Sequence, residues 1–119
     1  MAFAALAGSP ISALPADYTT QDLLQDCRGR NGSSGNSFCL GFMAGAAGIL
    51  SDLHDQDTDT VPTKQGNVRL VVSACTEGVT YGAMKQAFVN WAEKHPREWQ
   101  FSADNGAKLA LQETWPCSS

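Results

Sequence analysis

Positive charge is scarce in this sequence and is not clustered. Its 119 residues include 8 Lys and Arg against 12 Asp and Glu, which gives a formal net charge of -4. Proteins that grip the phosphate backbone of nucleic acid need a concentrated basic face. The composition therefore argues against nucleic acid as a partner, although an acidic surface can steer a protein toward a basic partner.

A long apolar run is also missing. The longest internal run, residues 38–50, is shorter than the roughly 20 residues that a membrane helix requires. Residues 1–16 are uncharged, small and apolar, and they end in Ala13-Leu14-Pro15-Ala16, which resembles a secretory signal cleaved after Ala16. An ordinary N-terminal arm is the alternative. We expect residues 1–16 to be a signal remnant or a flexible arm and residues 17–119 to form a single helical domain that is soluble after export.

Histidine is rare, which limits catalytic and metal chemistry. His54 and His95 are the two histidines, neither lies at a zinc-ligand spacing from a cysteine, and there is no Cys-x-x-Cys pair. A Cys-His nucleophile would need a free thiol beside an oriented histidine. Because the four cysteines are better used in disulfides, we expect no catalytic residue, no metal and no cofactor. The sequence therefore does not predict an enzyme.

The polar segment after residue 52 offers a partial calcium motif. Asp55, Asp57 and Asp59 match the first three ligand positions of an EF-hand loop. Thr60 then replaces the required glycine, and Gly66 stands where the bidentate glutamate belongs. We interpret the three aspartates as an exposed acidic loop, of the kind that often carries recognition.

Cysteine, by contrast, is present in an even number. Cys27, Cys39, Cys75 and Cys117, in a short chain with export features, are typical of two disulfides formed in an oxidising compartment. Four cysteines allow three pairings. An up-and-down bundle favours Cys27–Cys39 with Cys75–Cys117, whereas a long connection that returns to the second helix favours Cys39–Cys75 with Cys27–Cys117. We prefer the second pairing, because it fastens both ends of the chain.

Apolar periodicity and capping residues predict four helices. The first covers about 19–28 with Thr19 as its cap, the second runs to about 53 from Asn36 or Ser37, the third covers about 80–94, and the fourth begins after Ser102. Residues 28–36 and 52–67 are predicted loops, and residues 68–74 are interpreted as an extended or short helical lead-in, because no partner strand is evident. The fold class is therefore all-α, an irregular four-helix bundle stapled by two disulfides.

Small and aromatic residues suggest how these helices pack. Gly41, Gly45 and Gly48 share one face of the second helix, where each costs roughly 1 kcal/mol relative to alanine. We therefore expect another backbone to approach that face closely. Trp91 belongs to the core stripe of the third helix, and Trp115 is expected to cover the last disulfide.

Four sequence blocks follow one another in an order typical of a known family. They are Cys39-Leu40-Gly41-Phe42-Met43-Ala44-Gly45, Cys75-Thr76-Glu77-Gly78-Val79-Thr80, His95-Pro96 and Trp115-Pro116-Cys117. Over about residues 20–117 they resemble the Rap/Tai immunity proteins, which protect bacteria from amidases delivered by type VI secretion. One departure is Glu77, preceded by Thr76, where proline is common in that family.

The resemblance implies a periplasmic homodimer that blocks the substrate cleft of a papain-like peptidoglycan amidase, in the manner of an antitoxin. Trp99 fits either a binding hot spot in the loop 94–100 or a cover for the bundle end. The alternative functions are a small periplasmic acid-stress chaperone and a helical binding protein such as a lipid carrier. Our predicted partner-binding residues are, first, Lys94, His95, Arg97, Glu98 and Trp99, with the exposed side of the third helix, and second, Asp55, Asp57 and Asp59.

Overall fold

Four α-helices form the bundle in a computed structural model, which describes residues 18–56, 58–70 and 72–117, without the side chains of 55–62 and 67–70. The helices are α1 (Thr20–Cys27), α2 (Ser34–Asp52), α3 (Tyr81–Lys94) and α4 (Ala103–Thr114). Single 3-10 turns, Leu53–Gln56 and Pro96–Glu98, follow α2 and α3. Each helix contacts the other three. The predicted disulfide-stapled four-helix fold is confirmed.

Hydroxyl side chains fix where the first three helices begin. Thr19 and Asp22 form a reciprocal capping box at α1, with backbone-to-side-chain distances of 3.0 and 3.1 Å. Thr80 caps α3 by accepting a hydrogen bond from the backbone N–H of Ala83. The predicted cap of α2, Asn36 or Ser37, was wrong by three or four residues, because Ser33 accepts a bond from the N–H of Asn36 and starts the helix earlier.

The start of α4 shows that a cap position need not use its side chain. Ser102 occupies the predicted N-cap but makes no side-chain capping bond. Its carbonyl instead accepts bonds from the backbone N–H groups of Asn105 and Gly106, and a third from the Thr20 hydroxyl at 3.1 Å. Ser102 thus ties the start of α4 to α1.

The core draws side chains from every helix. Fully buried members include Leu23 of α1, Met43 of α2, Phe88 of α3 and Leu111 of α4. Each buried side chain of this size contributes about 1.5–3 kcal/mol through removal of apolar surface from water. Trp91 is 7% exposed and belongs to the same cluster, so its predicted role in packing agrees with the structure.

The three glycines of α2 do not pack as expected. A Cβ atom added at Gly41, Gly45 or Gly48 would meet no other described atom within 4 Å. The reason is the orientation of α2, whose buried residues Cys39, Met43, Ala47 and Leu50 lie on the opposite side. The expectation of a close backbone neighbour on this face was therefore wrong within the described chain.

Two short strands occupy part of the predicted loop and lead-in. β1 (Thr58–Thr63) pairs antiparallel with β2 (Gly66–Leu70), with Val61 opposite Val68. A register irregularity separates Thr58 from Val61. The strand-like composition after residue 67 therefore has a partner, which sequence analysis missed because Asp59 and Pro62 are poor strand residues.

The preferred disulfide pairing was also wrong. Cys27 is bonded to Cys39, and Cys75 to Cys117, each with a Cα–Cα distance of 5.0 Å. The chain returning from the hairpin reaches the end of α2 and not its start, because the N–H of Ala74 donates to the carbonyl of Leu50. Cys75 lies next to this contact, far along α2 from Cys39, and pairs with the C-terminal cysteine instead.

Candidate functional site

The end of α3 is a rigid corner built on Trp91. The helix stops at His95 because the residue before a proline avoids helical backbone angles. The imidazole Nδ1 of His95 lies 2.7 Å from the carbonyl oxygen of Trp91. The two rings also stack, with centroids 4.6 Å apart and planes 18° from parallel. His95 is therefore held flat against the core tryptophan and is half-buried.

Trp99 fastens the following turn to α3. Its indole N–H donates to the carbonyl of Ala92 at 2.7 Å, and the same carbonyl accepts a hydrogen bond from the backbone N–H of His95 at 3.1 Å. The ring is half-buried against the core. Of the two interpretations of Trp99, the structure supports the one in which it covers the bundle end.

The turn between His95 and Trp99, with Lys94 before it, carries the charged side chains of this region. Lys94 and Arg97 are exposed, and Glu98 is half-buried. We call residues 94–98 the α3 ridge. The structure thus places the five predicted contact residues of 94–99 together, with His95 and Trp99 as supports and Lys94 and Arg97 as the groups that face solvent.

Two shallow grooves flank Trp91 between α3 and α4. One, of about 460 Å³, runs beside Asn90, Lys94 and Trp115. The other, of about 400 Å³, is bordered by His95 and Glu98. Trp91 and Glu113 line both grooves. Glu113 was not predicted, and only the packing of α4 beside α3 places it there.

Trp115 lines the larger of the two grooves and lies next to the Cys75–Cys117 disulfide. Its carbonyl accepts a hydrogen bond from the backbone N–H of Cys75 at 2.9 Å. The ring is half-buried and packs against the core. The structure therefore places Trp115 beside the last disulfide, with its backbone holding Cys75 in position.

The outer face of α2 is an exposed apolar surface that sequence analysis did not single out. Phe38 is 50% exposed and Ile49 is 64% exposed, and the bare glycines lie between them. Residues 38, 41, 45 and 49 follow helical spacing on one side of α2. That spacing was visible in the sequence, but its exposure depended on which side of α2 entered the core.

The predicted acidic loop, with Asp55, Asp57 and Asp59, falls mostly outside the described part of the chain. Asp57 lies outside the described residues, and so do the side chains of Asp55 and Asp59. The backbone on either side belongs to the turn Leu53–Gln56 and to β1. The expectation that this segment docks a partner stays a prediction.

A group of potential metal ligands forms where the C-terminus meets the end of α2. A ring nitrogen of His54 and the Sγ atoms of Cys75 and Cys117 lie within 4.8 Å of one another. The two sulfur atoms are bonded to each other in this structure. Sequence spacing gave no sign of this group, because its members are distant in the chain.

These features show the general class of protein to which the chain belongs. The fold is a small disulfide-linked helical domain, and its distinctive features are surfaces: a rigid charged ridge, two grooves and an apolar helix face. Within the described residues, no helix has the length and apolar character needed to cross a membrane.

The family is shown by a sequence comparison. The model of the Rap1a immunity proteins matches residues 19–117, and the chain belongs to this family. The resemblance to the Rap/Tai proteins is thereby confirmed. No curated protein and no solved structure matches the chain significantly.

Family membership indicates an immunity protein that binds and inhibits a cognate type VI effector. Proteins of this family are generally periplasmic. The two disulfides fit an oxidising compartment of that kind.

Proposed function

We propose that this protein is a periplasmic immunity protein that binds a papain-like peptidoglycan amidase and covers its active-site cleft. The observation that carries the proposal is the family match, which extends over residues 19–117 and so includes all four helices and both disulfides. In this proposal residues 1–16 serve export, and residues 17–119 are the inhibitory domain.

The α3 ridge suits steric inhibition. A surface that is already rigid loses little conformational entropy on binding, which improves affinity. The ridge is held at one end by the contact of His95 with Trp91 and at the other by the bond from Trp99 to Ala92. Lys94 and Arg97 extend from it toward solvent. We infer that these two cations contact the rim of the amidase cleft.

The first test mixes the oxidised protein with the papain-like amidase encoded beside its gene and follows cleavage of peptidoglycan peptides. We expect cleavage to stop at a fixed molar ratio, together with a complex on a sizing column. Full cleavage with no complex would reject this pairing. If related amidases also escaped inhibition, the immunity proposal itself would fail, and the chaperone alternative would be tested by holdase activity at low pH.

A charge-reversal series locates the contact surface. Lys94→Glu combined with Arg97→Glu should weaken inhibition by about tenfold or more, because like charges would face each other across a formed interface. Lys64→Glu, an exposed reversal in the turn between β1 and β2, is the matched control and should leave inhibition unchanged. If the double variant inhibited normally and Lys64→Glu lost inhibition, the contact surface would instead be near the segment that contains Asp55, Asp57 and Asp59.

We also propose that two copies pair through the outer face of α2. An antiparallel pair about a two-fold axis near the middle of the helix would bring Phe38 of each copy against Ile49 of the other. The bare glycines between them would let the two backbones approach closely. This would provide the packing that the glycines lack within the described chain.

Sedimentation measurements can test this pairing. Ile49→Glu should convert the dimer into a monomer, because a charge would be buried against Phe38 of the other copy. Phe101→Glu changes another exposed apolar residue, 42% exposed, and should leave the dimer intact. A monomeric parent protein, or a dimer that persists in Ile49→Glu, would reject pairing through this face.

A further inference from the structure

The group formed by His54, Cys75 and Cys117 is built from three separate segments. His54 lies in the turn after α2, Cys75 in the extended segment before α3, and Cys117 near the chain end. Their ligand atoms lie within 4.8 Å of one another. Ser73 joins the group, because its hydroxyl donates to Cys117 Sγ at 3.2 Å and lies 3.5 Å from His54 Nδ1.

We propose that His54, Cys75 and Cys117 bind one Zn²⁺ ion when the disulfide between the two cysteines is reduced. Two thiolates and an imidazole form a soft ligand set that suits zinc better than magnesium or calcium. Zinc bonds are about 2.0–2.3 Å long, so ligand atoms in one tetrahedral site lie within roughly 4 Å of one another. Reduction lets the two sulfur atoms separate to that spacing, the His54 nitrogen already lies within 4.8 Å of both, and water would occupy the fourth position.

Hydrogen bonds hold the scaffold around the cluster in addition to the disulfide. The N–H of Ala74 donates to Leu50, and the hydroxyl of Ser51 donates to the carbonyl of Ala74 at 3.1 Å. The N–H of Cys75 donates to Trp115. These bonds hold the end of α2, the extended segment and the C-terminus together, so the three ligands remain near one another after the S–S bond is cleaved.

Burial within the cluster also suits an ion site. His54 is exposed and Cys75 is half-buried, which leaves a route for the ion, whereas Cys117 and Ser73 are buried. A buried hydroxyl beside a thiolate acts as an outer-shell partner that orients the ligand. Ser73 is placed for that role next to Cys117.

The redox step balances with a dithiol as the reductant. The dithiol gives two electrons and two protons to the Cys75–Cys117 bond and becomes a disulfide itself, which leaves two protein thiols. Zn²⁺ then replaces the two thiol protons, which pass to solvent. The metal links the segments of Cys75 and Cys117, as the disulfide does in the oxidised chain. In a reduced chain the ion would therefore keep Cys117 joined to the segment before α3.

Cobalt is a visible probe for this zinc site. The full chain would be reduced with a phosphine, which adds no competing thiol, and titrated with Co²⁺ under nitrogen. We expect a thiolate-to-cobalt charge-transfer band that saturates at one ion per chain and is displaced by Zn²⁺. His54→Ala should weaken binding by about tenfold or more, since even outer-shell changes cost 10–100-fold. His95→Ala, which removes the other histidine, should bind as the parent does.

Two further comparisons exclude simpler explanations. Cys27→Ser combined with Cys39→Ser removes the other pair of thiols and should retain the band, whereas the oxidised parent should show none. If reduction unfolds the chain, adding Zn²⁺ should restore its helical circular dichroism, and should not do so in His54→Ala.

Several results would overturn the proposal. They are the absence of a band and of refolding, equal affinity in His54→Ala, and a band that disappears with Cys27 and Cys39. No effector is involved, so such a failure would leave the immunity proposal untouched.

Discussion

Tyr18 shows how one side chain connects the start of the bundle to α1. Its phenol donates a hydrogen bond to the carboxylate of Asp26, and its ring contacts Phe38 and Phe42, with centroids 5.5 and 6.2 Å away. Burial raises the pKa of Tyr18, and the bond to Asp26 and the negative charges of Asp26 and Asp22 raise it further. All these effects favour the neutral phenol in the folded protein.

The raised pKa of Tyr18 predicts a loss of stability at high pH. The contribution of Tyr18 to the free energy of unfolding is complete below the ordinary tyrosine pKa of about 10. It declines above that pH, because the unfolded chain then releases a proton that the folded chain retains. One group can contribute at most about 1.4 kcal/mol per pH unit to this decline, and solvent screening of the half-buried Tyr18 keeps its contribution below that limit. Tyr18→Phe should lower the free energy of unfolding at neutral pH by about 1 kcal/mol and flatten this alkaline decline.

Urea unfolding between about pH 8 and about pH 11.5 would measure the effect across the titration range. Tyr81→Phe is the matched control, since Tyr81 is 59% exposed and its replacement should leave the parent's pH dependence in place. Equal slopes for the parent and Tyr18→Phe would show that Tyr18 does not cause the decline.

Single residues also show what sequence patterns can and cannot predict. Helical periodicity correctly assigned Trp91 to the core, because that assignment needs only the residues of its own helix. The role of Trp99 depended on a bond to Ala92 across the turn, and the sequence was compatible with either exposure or burial. The grouping of His54 with Cys75 and Cys117 is a product of the fold alone.

Among the elements, helices were easier to predict than strands. Caps and apolar spacing are local, so α1, α3 and α4 were placed within about a residue of their observed bounds, within the usual uncertainty of helix ends. The pairing of β1 with β2 is not local, and β1 contains Asp59 and Pro62, which are poor signals for a strand. The residues of β2 were not predicted to form a strand, because β1, their partner, was not recognised.

Gly106 in α4 is a helical glycine that packing requires. A Cβ atom at this position would lie 2.8 Å from Thr20 Cγ2, and closer still to its hydroxyl. Thr20 is completely buried and bonded to Ser102, so it has no free space to enter. Gly106→Ala should therefore lower the free energy of unfolding by about 1–3 kcal/mol, as overpacking usually does.

Gly45→Ala is the opposite case on the outer face of α2. The added methyl group meets nothing within 4 Å, so helix propensity alone should stabilise the monomer by about 1 kcal/mol. Thermal and urea unfolding of both variants at low protein concentration would give the comparison. Stabilisation by Gly106→Ala would mean that α1 and α4 can separate without cost.

At the scale of the whole molecule, the two disulfides close loops of very different length. Cys27–Cys39 spans a sequence separation of 12, and Cys75–Cys117 spans 42. The pairing could not be deduced from the sequence, because several connectivities fit the same cysteines. It depended on where the hairpin returns the chain along α2, which is a tertiary property.

Loop length predicts which disulfide matters more for stability. Loop-closure entropy gives about 4 kcal/mol for the longer loop and about 3 kcal/mol for the shorter one. Replacing Cys75 and Cys117 together by alanine should therefore destabilise the protein more than replacing Cys27 and Cys39, by about 1 kcal/mol. Paired replacement avoids leaving a free thiol, so both variants can be unfolded in urea without a reductant. A larger loss for the short loop would show that packing around Cys27 and Cys39, which are both buried, outweighs the entropy of the unfolded chain.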